Sequence, residues 1–254
     1  MSLATDRLQA EQSFHDRQAV HRSATFEQRP SALHIDVDSY LDHETWIRPA
    51  FAPLGDVHGL EVLDYGCGHG MASVVLARLG ARVTAFDLSP RYLREARCRA
   101  GANDVAIDWV QADGARLPFA DESFDRVWGN AILHHLDLQR AGRELRRVMR
   151  PEGIAVFCEP WGENPFVNFA RRRLHYPGKE RTPDELPLRR RDLAVLRAVF
   201  PQLDARGFQL LSMVRRVLRT GWLVRRLDRC DERLLTSVPF LQQFCRYMVL
   251  TLRR

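Results

Sequence analysis

The chain has 254 residues and a formal net charge of +6, with 45% hydrophobic and 28% charged residues. The composition is typical of a globular protein, and the length suits one large domain or one domain with an embellishment. No stretch approaches the roughly 18 uninterrupted apolar residues that a membrane span requires, and we expect the polar N-terminal stretch MSLATDRLQAEQ to be neither a signal peptide nor a transit peptide. The five cysteines include no C-x-x-C pair, so we expect neither structural zinc nor disulfides, and a cytoplasmic protein with reduced thiols.

Residues 1–59 precede the first clear strand, and we predict that they form a helical segment. The stretch TDRLQAEQSFHDRQAVHR is polar and helix-prone. A further helix is predicted to be capped at Ser39, because Asp42 follows three residues later as in a capping box. Pro49 is expected to kink or restart this helix, and Gly55 to lie beyond its end.

Strands and helices alternate from residue 60 onward. This alternation predicts βαβ units and a doubly wound, mostly parallel α/β sheet, in which ligands bind outside the carboxyl ends of the strands. The predicted strands cover 60–65, 82–87, 105–113, 123–130 and 154–160. The predicted helices cover 71–80, 90–101 and 138–153, and the last is expected to be stopped by Pro151 and Gly153.

The remainder of the chain is less regular. Its predicted elements are a helix near 192–200, a strand at 207–218, a helical patch at 222–236 and a final strand at 243–254. We predict that two segments of this part, 161–206 and 219–242, are insertions on the substrate side of the domain.

The stretch LDYGCGHG places three glycines directly after the first predicted strand. Glycine costs roughly 0.5–1 kcal/mol of backbone entropy at such positions, so the loop is expected to need a bare backbone beside a ligand. A dinucleotide site of the G-x-G-x-x-G type is one alternative. Its third glycine, counted from Gly66, would fall on Met71, which disfavours that alternative.

Two acidic residues follow at the ends of later strands. Asp87 ends the second strand about 20 residues beyond the loop, where a carboxylate can accept hydrogen bonds from both hydroxyls of a ribose. Asp113, followed by Gly114, ends the third strand, where an acid can accept from an exocyclic adenine amine. The pattern therefore favours an adenosine-containing ligand.

Four stretches resemble the class I S-adenosylmethionine-dependent methyltransferases, specifically the branch that acts on small molecules. They are VLDYGCGHG, VTAFDLSPRYLREAR, ADGARLPFADESFDRVWGNAILHHL and RELRRVMRPEGIAVFCEP, in order and with family-like spacing across about residues 60–160. The resemblance implies a seven-stranded, mostly parallel sheet of order 3-2-1-4-5-7-6 whose last strand, RYMVLTLRR, is antiparallel. It also implies an N-terminal helical lid at 1–59 and a cofactor-binding domain at 60–254.

The resemblance assigns S-adenosylmethionine, and the product S-adenosylhomocysteine, to the ends of the first four strands. The backbone of the glycine loop would contact the methionine moiety and the ribose, Asp87 would accept from the ribose hydroxyls, and Asp113 would face the adenine. Cys67 is expected to be a small apolar filler of the loop. The implied cofactor residues are Asp64, Gly66, Cys67, Gly68, Asp87, Leu88, Asp113, Gly114, Asn130 and Ala131.

Methyl transfer needs alignment of the acceptor atom, and a base only where that atom must lose a proton. His135 is a candidate base in a position where relatives often carry histidine, although it could instead cap a helix. Glu159 at the end of the fifth strand is the second candidate, as base or substrate anchor, and its alternative is an ion pair with an arginine. His134 is a weaker candidate for contact with the acceptor.

Aromatic residues on both sides of the domain are candidates for the acceptor pocket. Tyr40, His43 and Trp46 belong to the expected lid, although they could equally pack on the sheet. Trp161 is a candidate substrate residue, and three further aromatic residues after Glu159 could line the same pocket or the core. These three are Phe166, Phe169 and Tyr176.

The absence of certain motifs narrows the acceptor. The fourth strand ends in GNAI, rather than in the Asn/Asp-Pro-Pro-aromatic motif of enzymes that methylate base amines, and there is no Pro-Cys pair for C5 of a pyrimidine. Nucleic acid is therefore disfavoured in spite of a pI near 9.4. No acidic cluster suggests a metal, so we expect a metal-independent enzyme that acts on a small molecule of specialised metabolism.

Positive charge is concentrated in the last part of the chain. Residues 160–254 contain 20 Lys and Arg against 9 Asp and Glu, whereas 1–159 contain 18 against 23. This asymmetry indicates either solvated helix faces or an anionic partner, such as an acidic or lipid-like acceptor or a membrane surface.

Alternatives that stay open are an RNA or protein methyltransferase and a relative that binds the cofactor without transferring methyl. The oligomeric state does not follow from the sequence.

Overall fold

A computed structural model of the chain describes residues 12–13, 16–17, 30–173, 186–216 and 221–254. The described residues build one seven-stranded sheet of order β3-β2-β1-β4-β5-β7-β6. β7 is antiparallel to both of its neighbours, and the pairs among β1 to β5 are parallel. The order implied by the family resemblance is therefore confirmed. The strands are β1 Glu61–Tyr65, β2 Arg82–Asp87, β3 Asp108–Gln111, β4 Phe124–Asn130, β5 Met149–Pro160, β6 Leu203–Phe208 and β7 Tyr247–Arg253.

Helices cover both faces of the sheet. The α-helices are α1 Val37–Leu41, α2 Ile47–Phe51, α3 Met71–Arg78, α4 Pro90–Ala102, α5 Leu138–Val148, α6 Pro165–Arg173, α7 Arg190–Val199 and α8 Gly221–Ser237. Short 3-10 helices occupy Pro30–Leu33, Ala52–Leu54, Leu133–His135, Ser212–Arg216 and Pro239–Phe244. None of the described helices combines the length and apolar character needed to cross a membrane.

Local sequence sets where the central helices begin. The Ser89 hydroxyl accepts from the Tyr92 backbone N–H, and Pro90 takes the first position of α4, where its missing N–H is not needed. The Asp137 carboxylate caps α5 in the same manner. Both helices therefore start directly after a loop at the carboxyl edge of the sheet, where the cavity described below opens.

Two apolar cores lie on opposite faces of the sheet because side chains alternate along each strand. Val62 on β1 packs with α3 and α4, whereas its neighbour Leu63 packs with α5 and α7. The N-terminal segment joins the first core through buried residues that include Trp46, Ile47 and Phe51. Residues 30–59 are thus anchored to the domain, while their function as a lid remains a prediction.

The predicted helix at 138–153 was too long. α5 ends at Val148, and Met149 already pairs with Phe124 in the sheet. The reason is Pro151, which has no backbone N–H and disfavours helical backbone at the preceding residue.

The predicted strand at 207–218 was wrong for most of its length. β6 ends at Phe208, after which Gln209 has a φ of 61° and the chain leaves the sheet. The backbone N–H groups of Leu210 and Leu211 donate to the Asp231 carboxylate of α8 rather than to another strand. The apolar stretch after Phe208 is therefore held by hydrogen bonds to Asp231, a residue that is distant in sequence and that no local pattern indicates.

Other differences are smaller. The cap of α1 is Asp36, whose carboxylate accepts from the Ser39 backbone N–H, so Ser39 lies inside the helix that it was predicted to cap. Pro49 lies inside α2, the restarted helix, and Gly55 ends the following 3-10 helix with a φ of 69°. The polar helix predicted near the N-terminus falls mostly outside the described residues.

Candidate functional site

A cavity of about 460 Å³ opens at the carboxyl ends of β1 to β4, below the N-terminal segment. All ten residues that the sequence assigned to the cofactor line it, together with Tyr40, Trp46 and His135. His134, Glu159 and Trp161 are not among the residues that line it. Most of the predicted site residues therefore line the cavity, and these three do not.

The glycine loop forms the floor of the cavity. Gly66 has a φ of +72°, and a Cβ there would lie 2.6 Å from Cγ1 of Ile132, so only glycine fits. Gly68 has a φ of +51°, and a Cβ there would meet nothing within 4 Å. Gly66 therefore allows close packing beneath the loop, while Gly68 presents its backbone to open space in the cavity.

Asp64 and Cys67 are buried groups of this floor. The Asp64 carboxylate accepts a 2.5 Å hydrogen bond from the Ser73 hydroxyl of α3. Burial raises the pKa of Asp64 to about 7. Burial also raises the pKa of the Cys67 thiol well above its ordinary value, which agrees with an apolar filler and not with a reactive thiolate.

Asp87 ties the end of β2 to the glycine loop. One carboxylate oxygen accepts from the Gly68 backbone N–H and the other from the Ser89 backbone N–H, both at 2.8 Å. Burial raises the pKa of Asp87 to about 6, partly offset by these two hydrogen bonds, and the nearby charge of Asp16 acts in the same direction as burial. The carboxylate is thus fixed in place at the cavity wall.

Tyr65 fixes the turn that follows β3. Its hydroxyl donates to the Gly114 carbonyl oxygen at 2.6 Å, and a Cβ on Gly114 would lie 2.8 Å from that hydroxyl oxygen. The Ala115 backbone N–H donates to the Asp113 carboxylate at 2.9 Å. Asp113 is therefore oriented by its own turn, and Gly114 is required by a close approach.

Glu159 supports the turn that carries His135 without lining the cavity. The fully buried carboxylate accepts from the backbone N–H groups of Ile132 and Leu133 at 2.9 and 2.8 Å, and its other oxygen lies 2.7 Å from Nδ1 of His134. The expected ion pair with an arginine is therefore replaced by a pair with His134, and the geometry favours a positioning residue over a base.

Trp161 is part of the core and not of the cavity. It is 1% exposed, and its indole N–H donates to the Gln243 carbonyl oxygen at 3.0 Å. Phe166 and Phe169 on α6 are 81% and 64% exposed, and Tyr176 lies outside the described residues. Trp161, Phe166 and Phe169 thus do not line the described cavity.

The N-terminal segment supplies the opposite wall through Tyr40, His43, Glu44 and Trp46. The Glu44 carboxylate accepts from the Gln209 side-chain amide at 2.6 Å and lies 3.1 Å from the Arg215 guanidinium. Sequence reasoning missed Glu44, although it lies between two residues that were singled out. Its partners come from the far end of the chain, so no local signal could have indicated them.

The cavity is lined by acids. Asp64, Asp87, Asp113 and Glu44 all contribute to it, and the described residues of its lining include neither lysine nor arginine. Such a site favours a cation and disfavours a polyanion such as a pyrophosphate. Among the described residues, the arginines of the last third of the chain thus lie outside this lining.

Comparison with known proteins agrees with this geometry. Residues 63–157 match a family described as a methyltransferase domain. Demethylmenaquinone methyltransferase of Tropheryma whipplei (strain Twist) is 40% identical over 142 residues, which are 54% of this chain and 58% of that protein. Malonyl-[acyl-carrier protein] O-methyltransferase of Pseudescherichia vulneris is 42% identical over 107 residues, or 42% of this chain and 41% of that protein. The chain spans about half the length of the curated relatives it matches.

The fold is also that of a solved structure. An S-adenosylmethionine-dependent methyltransferase from Mesorhizobium loti aligns with a TM-score of 0.57 and 22% identity, covering 84% of this chain and 100% of that chain. At this identity the likeness concerns the fold alone.

Proposed function

We propose that the chain, whose residues 63–157 match a methyltransferase domain family, is a class I S-adenosylmethionine-dependent methyltransferase that transfers a methyl group to O, N or C of a small molecule. The observation that carries the proposal is the acid-lined cavity at the carboxyl ends of β1 to β4. A doubly wound sheet binds its ligand at this edge. The lack of basic residues in the described lining suits a sulfonium cation better than a nicotinamide dinucleotide.

The residues present fit S-adenosylmethionine. Asp87 would accept from the ribose hydroxyls, Asp113 would face the adenine amine, and the bare backbone at Gly68 would lie beside the methionine moiety. Asp64 supports the loop through Ser73. When bound, the cofactor supplies a methyl group activated by a positive sulfur. The protein then has to hold the acceptor atom in line and to exclude water.

The acceptor is proposed to be uncharged and largely apolar. On the wall formed by the N-terminal segment the cavity presents Tyr40, Trp46 and Ile47, and the acids around it oppose an anion. Trp46 is 5% exposed, and its buried indole N–H has no hydrogen-bond partner in the protein. This revises the expectation of an acidic acceptor and retains the lipid-like one. A role in specialised metabolism remains part of the proposal.

His135 is the proposed base, where the acceptor needs one. It lines the cavity, and the 3-10 turn that carries it is fixed by Glu159. Tyr40 is unsuited, because burial raises its pKa far above the ordinary value and keeps it protonated. We expect His135→Asn to lower kcat by about 10²–10⁴-fold with S-adenosylhomocysteine affinity nearly unchanged. The measurement is steady-state kinetics beside calorimetry; an unchanged kcat would mean that the acceptor needs no base.

The affinity for S-adenosylhomocysteine is expected to fall as the pH drops below about 6. Asp87, with a pKa of about 6, accepts hydrogen bonds best when ionised, so binding weakens by up to about tenfold per pH unit below that value. Stability should change in the opposite direction. Because folding raises the pKa of Asp87 above that of the unfolded chain, the unliganded protein loses stability as the pH rises from about 4 to 6.

Titration of S-adenosylhomocysteine by calorimetry across this range, with unfolding measured in parallel, tests both signs. In Asp87→Asn, the contribution of this carboxyl to the pH dependence of S-adenosylhomocysteine affinity and of stability should disappear. An unaltered pH profile in that variant would assign the titration to another group.

The location is proposed to be cytoplasmic. All five cysteines are free thiols in the structure, as expected in a reducing compartment.

The experiment that tests the function is binding followed by turnover. We expect micromolar binding of S-adenosylhomocysteine and none of NADH by calorimetry. Release of S-adenosylhomocysteine from S-adenosylmethionine is then assayed with phenols, amines, demethylmenaquinone and a malonyl carrier protein, the last two chosen from the names of the relatives. Binding of NADH alone would overturn the proposal. Binding of S-adenosylhomocysteine without turnover of any acceptor would favour a cofactor-binding relative, and turnover only with RNA or protein would favour those acceptors.

A further inference from the structure

Large apolar side chains are exposed mainly in one part of the described chain. Six of them, which we call the apolar rim, are Phe166, Phe169, Leu211, Trp222, Val238 and Phe240. Phe166 is 81% exposed and Phe240 66% exposed. Single exposed apolar residues are ordinary, whereas a large exposed patch marks a binding surface, so the place of these six in the fold decides how they are interpreted.

The elements that carry the rim start from the same edge of the sheet as the cavity. α6 follows the carboxyl end of β5, where Pro160 pairs with Tyr247. Tyr247 begins β7 and also pairs with Phe208 at the end of β6. The segment Pro239–Phe244 therefore leads into this edge, and the 3-10 helix Ser212–Arg216 and α8 come after β6 leaves it.

Hydrogen bonds join these elements to one another and to the cavity wall. The Asn164 amide, next to the start of α6, donates to the Phe244 carbonyl oxygen. On α8, Asp231 accepts from the Leu211 backbone N–H at 2.7 Å. Arg215, a few residues on, contacts Glu44 in the cavity lining. The elements that carry the rim are thus linked to one another and to the cavity wall by hydrogen bonds and an ion pair.

Arginines accompany the exposed rings. The guanidinium carbon of Arg173 lies 5.9 Å from the centroid of Phe169, and that of Arg226 lies 5.4 Å from the centroid of Trp222. The whole segment from residue 160 carries 20 basic against 9 acidic residues. Apolar side chains beside arginines are the composition that binds at the interface of an anionic membrane.

We propose that the apolar rim docks this protein on the surface of an anionic lipid bilayer. The excess of arginine disfavours a second copy of the chain, because self-association would bring like charges together. Leu211 and Val238 disfavour nucleic acid, because aliphatic side chains gain from hydrocarbon and offer no ring on which bases stack. The surface does not depend on methyl transfer, although it would place the acceptor wall near a lipid phase.

Cosedimentation with vesicles tests this inference on the full chain. We expect binding to vesicles of phosphatidylcholine with phosphatidylglycerol, weak binding to phosphatidylcholine alone, and weakening by added salt. The triple variant Phe166→Ala, Phe169→Ala, Phe240→Ala should bind the anionic vesicles about tenfold less tightly or worse. The matched control is Leu79→Ala, which removes an exposed side chain at the end of α3, away from the rim elements.

Calorimetry with S-adenosylhomocysteine on the same samples separates the two proposals. A triple variant that binds S-adenosylhomocysteine normally but not the vesicles supports the rim as a membrane surface, whether or not methyl transfer is ever found. Equal vesicle binding by the triple variant and the wild type overturns the inference. Release of the protein from anionic vesicles by single-stranded RNA, with RNA binding that also needs the three phenylalanines, overturns it in favour of nucleic acid.

Discussion

Asp87→Ala is expected to weaken S-adenosylhomocysteine binding by about 100-fold or more. A hydrogen bond to a charged group contributes about 1.5–3 kcal/mol, and tenfold in affinity corresponds to about 1.4 kcal/mol. The variant would lose the proposed acceptor for the ribose hydroxyls. It would also lose the anchor for the Gly68 and Ser89 backbone N–H groups, so the loop itself would loosen.

Two variants separate these contributions in the calorimetric titration. Asp87→Asn keeps one carbonyl oxygen in place and should bind more weakly than the wild type but more tightly than Asp87→Ala. Asp108→Ala removes an exposed carboxylate from β3, outside the cavity lining, and should bind as the wild type does. An Asp87→Ala variant that is folded and binds within about threefold of the wild type would contradict the assigned role, since threefold is below the value of even one hydrogen bond to a charge.

Glu159→Ala is expected to lower the free energy of unfolding by about 3–5 kcal/mol. The substitution leaves the buried backbone N–H of Leu133 and the part-buried one of Ile132 without an acceptor, at about 1–3 kcal/mol for a buried group, and removes the partner of His134. Urea unfolding measures the loss, and Asp204→Ala, which removes an exposed acid from β6, is the control. A midpoint equal to that of the wild type would show that the turn is held by other contacts.

Glu159→Gln tests whether the residue is a base or a positioning residue. The Gln carbonyl oxygen can still accept from the two backbone N–H groups, so stability should be largely retained. If Glu159 acts only by holding the turn, we expect kcat to remain within about tenfold of the wild type, since loss of a base costs about 10²–10⁴-fold. Loss of turnover in a stable variant with normal cofactor affinity would instead make Glu159 the base.

The parts of the fold that depend on local sequence patterns could be predicted from the sequence. β1 with its glycine loop, the helix starts at Ser89 and Asp137, and the acids at the ends of β2 and β3 are all set by short stretches of sequence. Strand pairing then brought the predicted cofactor residues around one cavity, because parallel strands end at the same edge. Their individual roles remain proposals.

Other features depended on contacts between distant parts of the chain. The stretch after Phe208 reads as a strand, but the carboxylate of Asp231 holds it outside the sheet. Trp161 reads equally well as a pocket residue or a core residue, and only its burial and its contacts with Leu188 and Gln243 decide for the core. The position of Glu44 in the cavity wall depends on its contacts with Gln209, which is 165 residues away in the chain, and with Arg215.

The sequence by itself determined the βαβ alternation, the strand ends that carry glycine and aspartate, and the excess of arginine after residue 160. The tertiary structure alone decided which of the candidate residues face the cavity, that Glu159 contacts His134 and not an arginine, and that Phe166 and Phe169 face solvent. The physical reason is that dihedral preference, capping and periodicity act over a few residues, whereas burial and hydrogen-bond partners are set by what the sheet brings together.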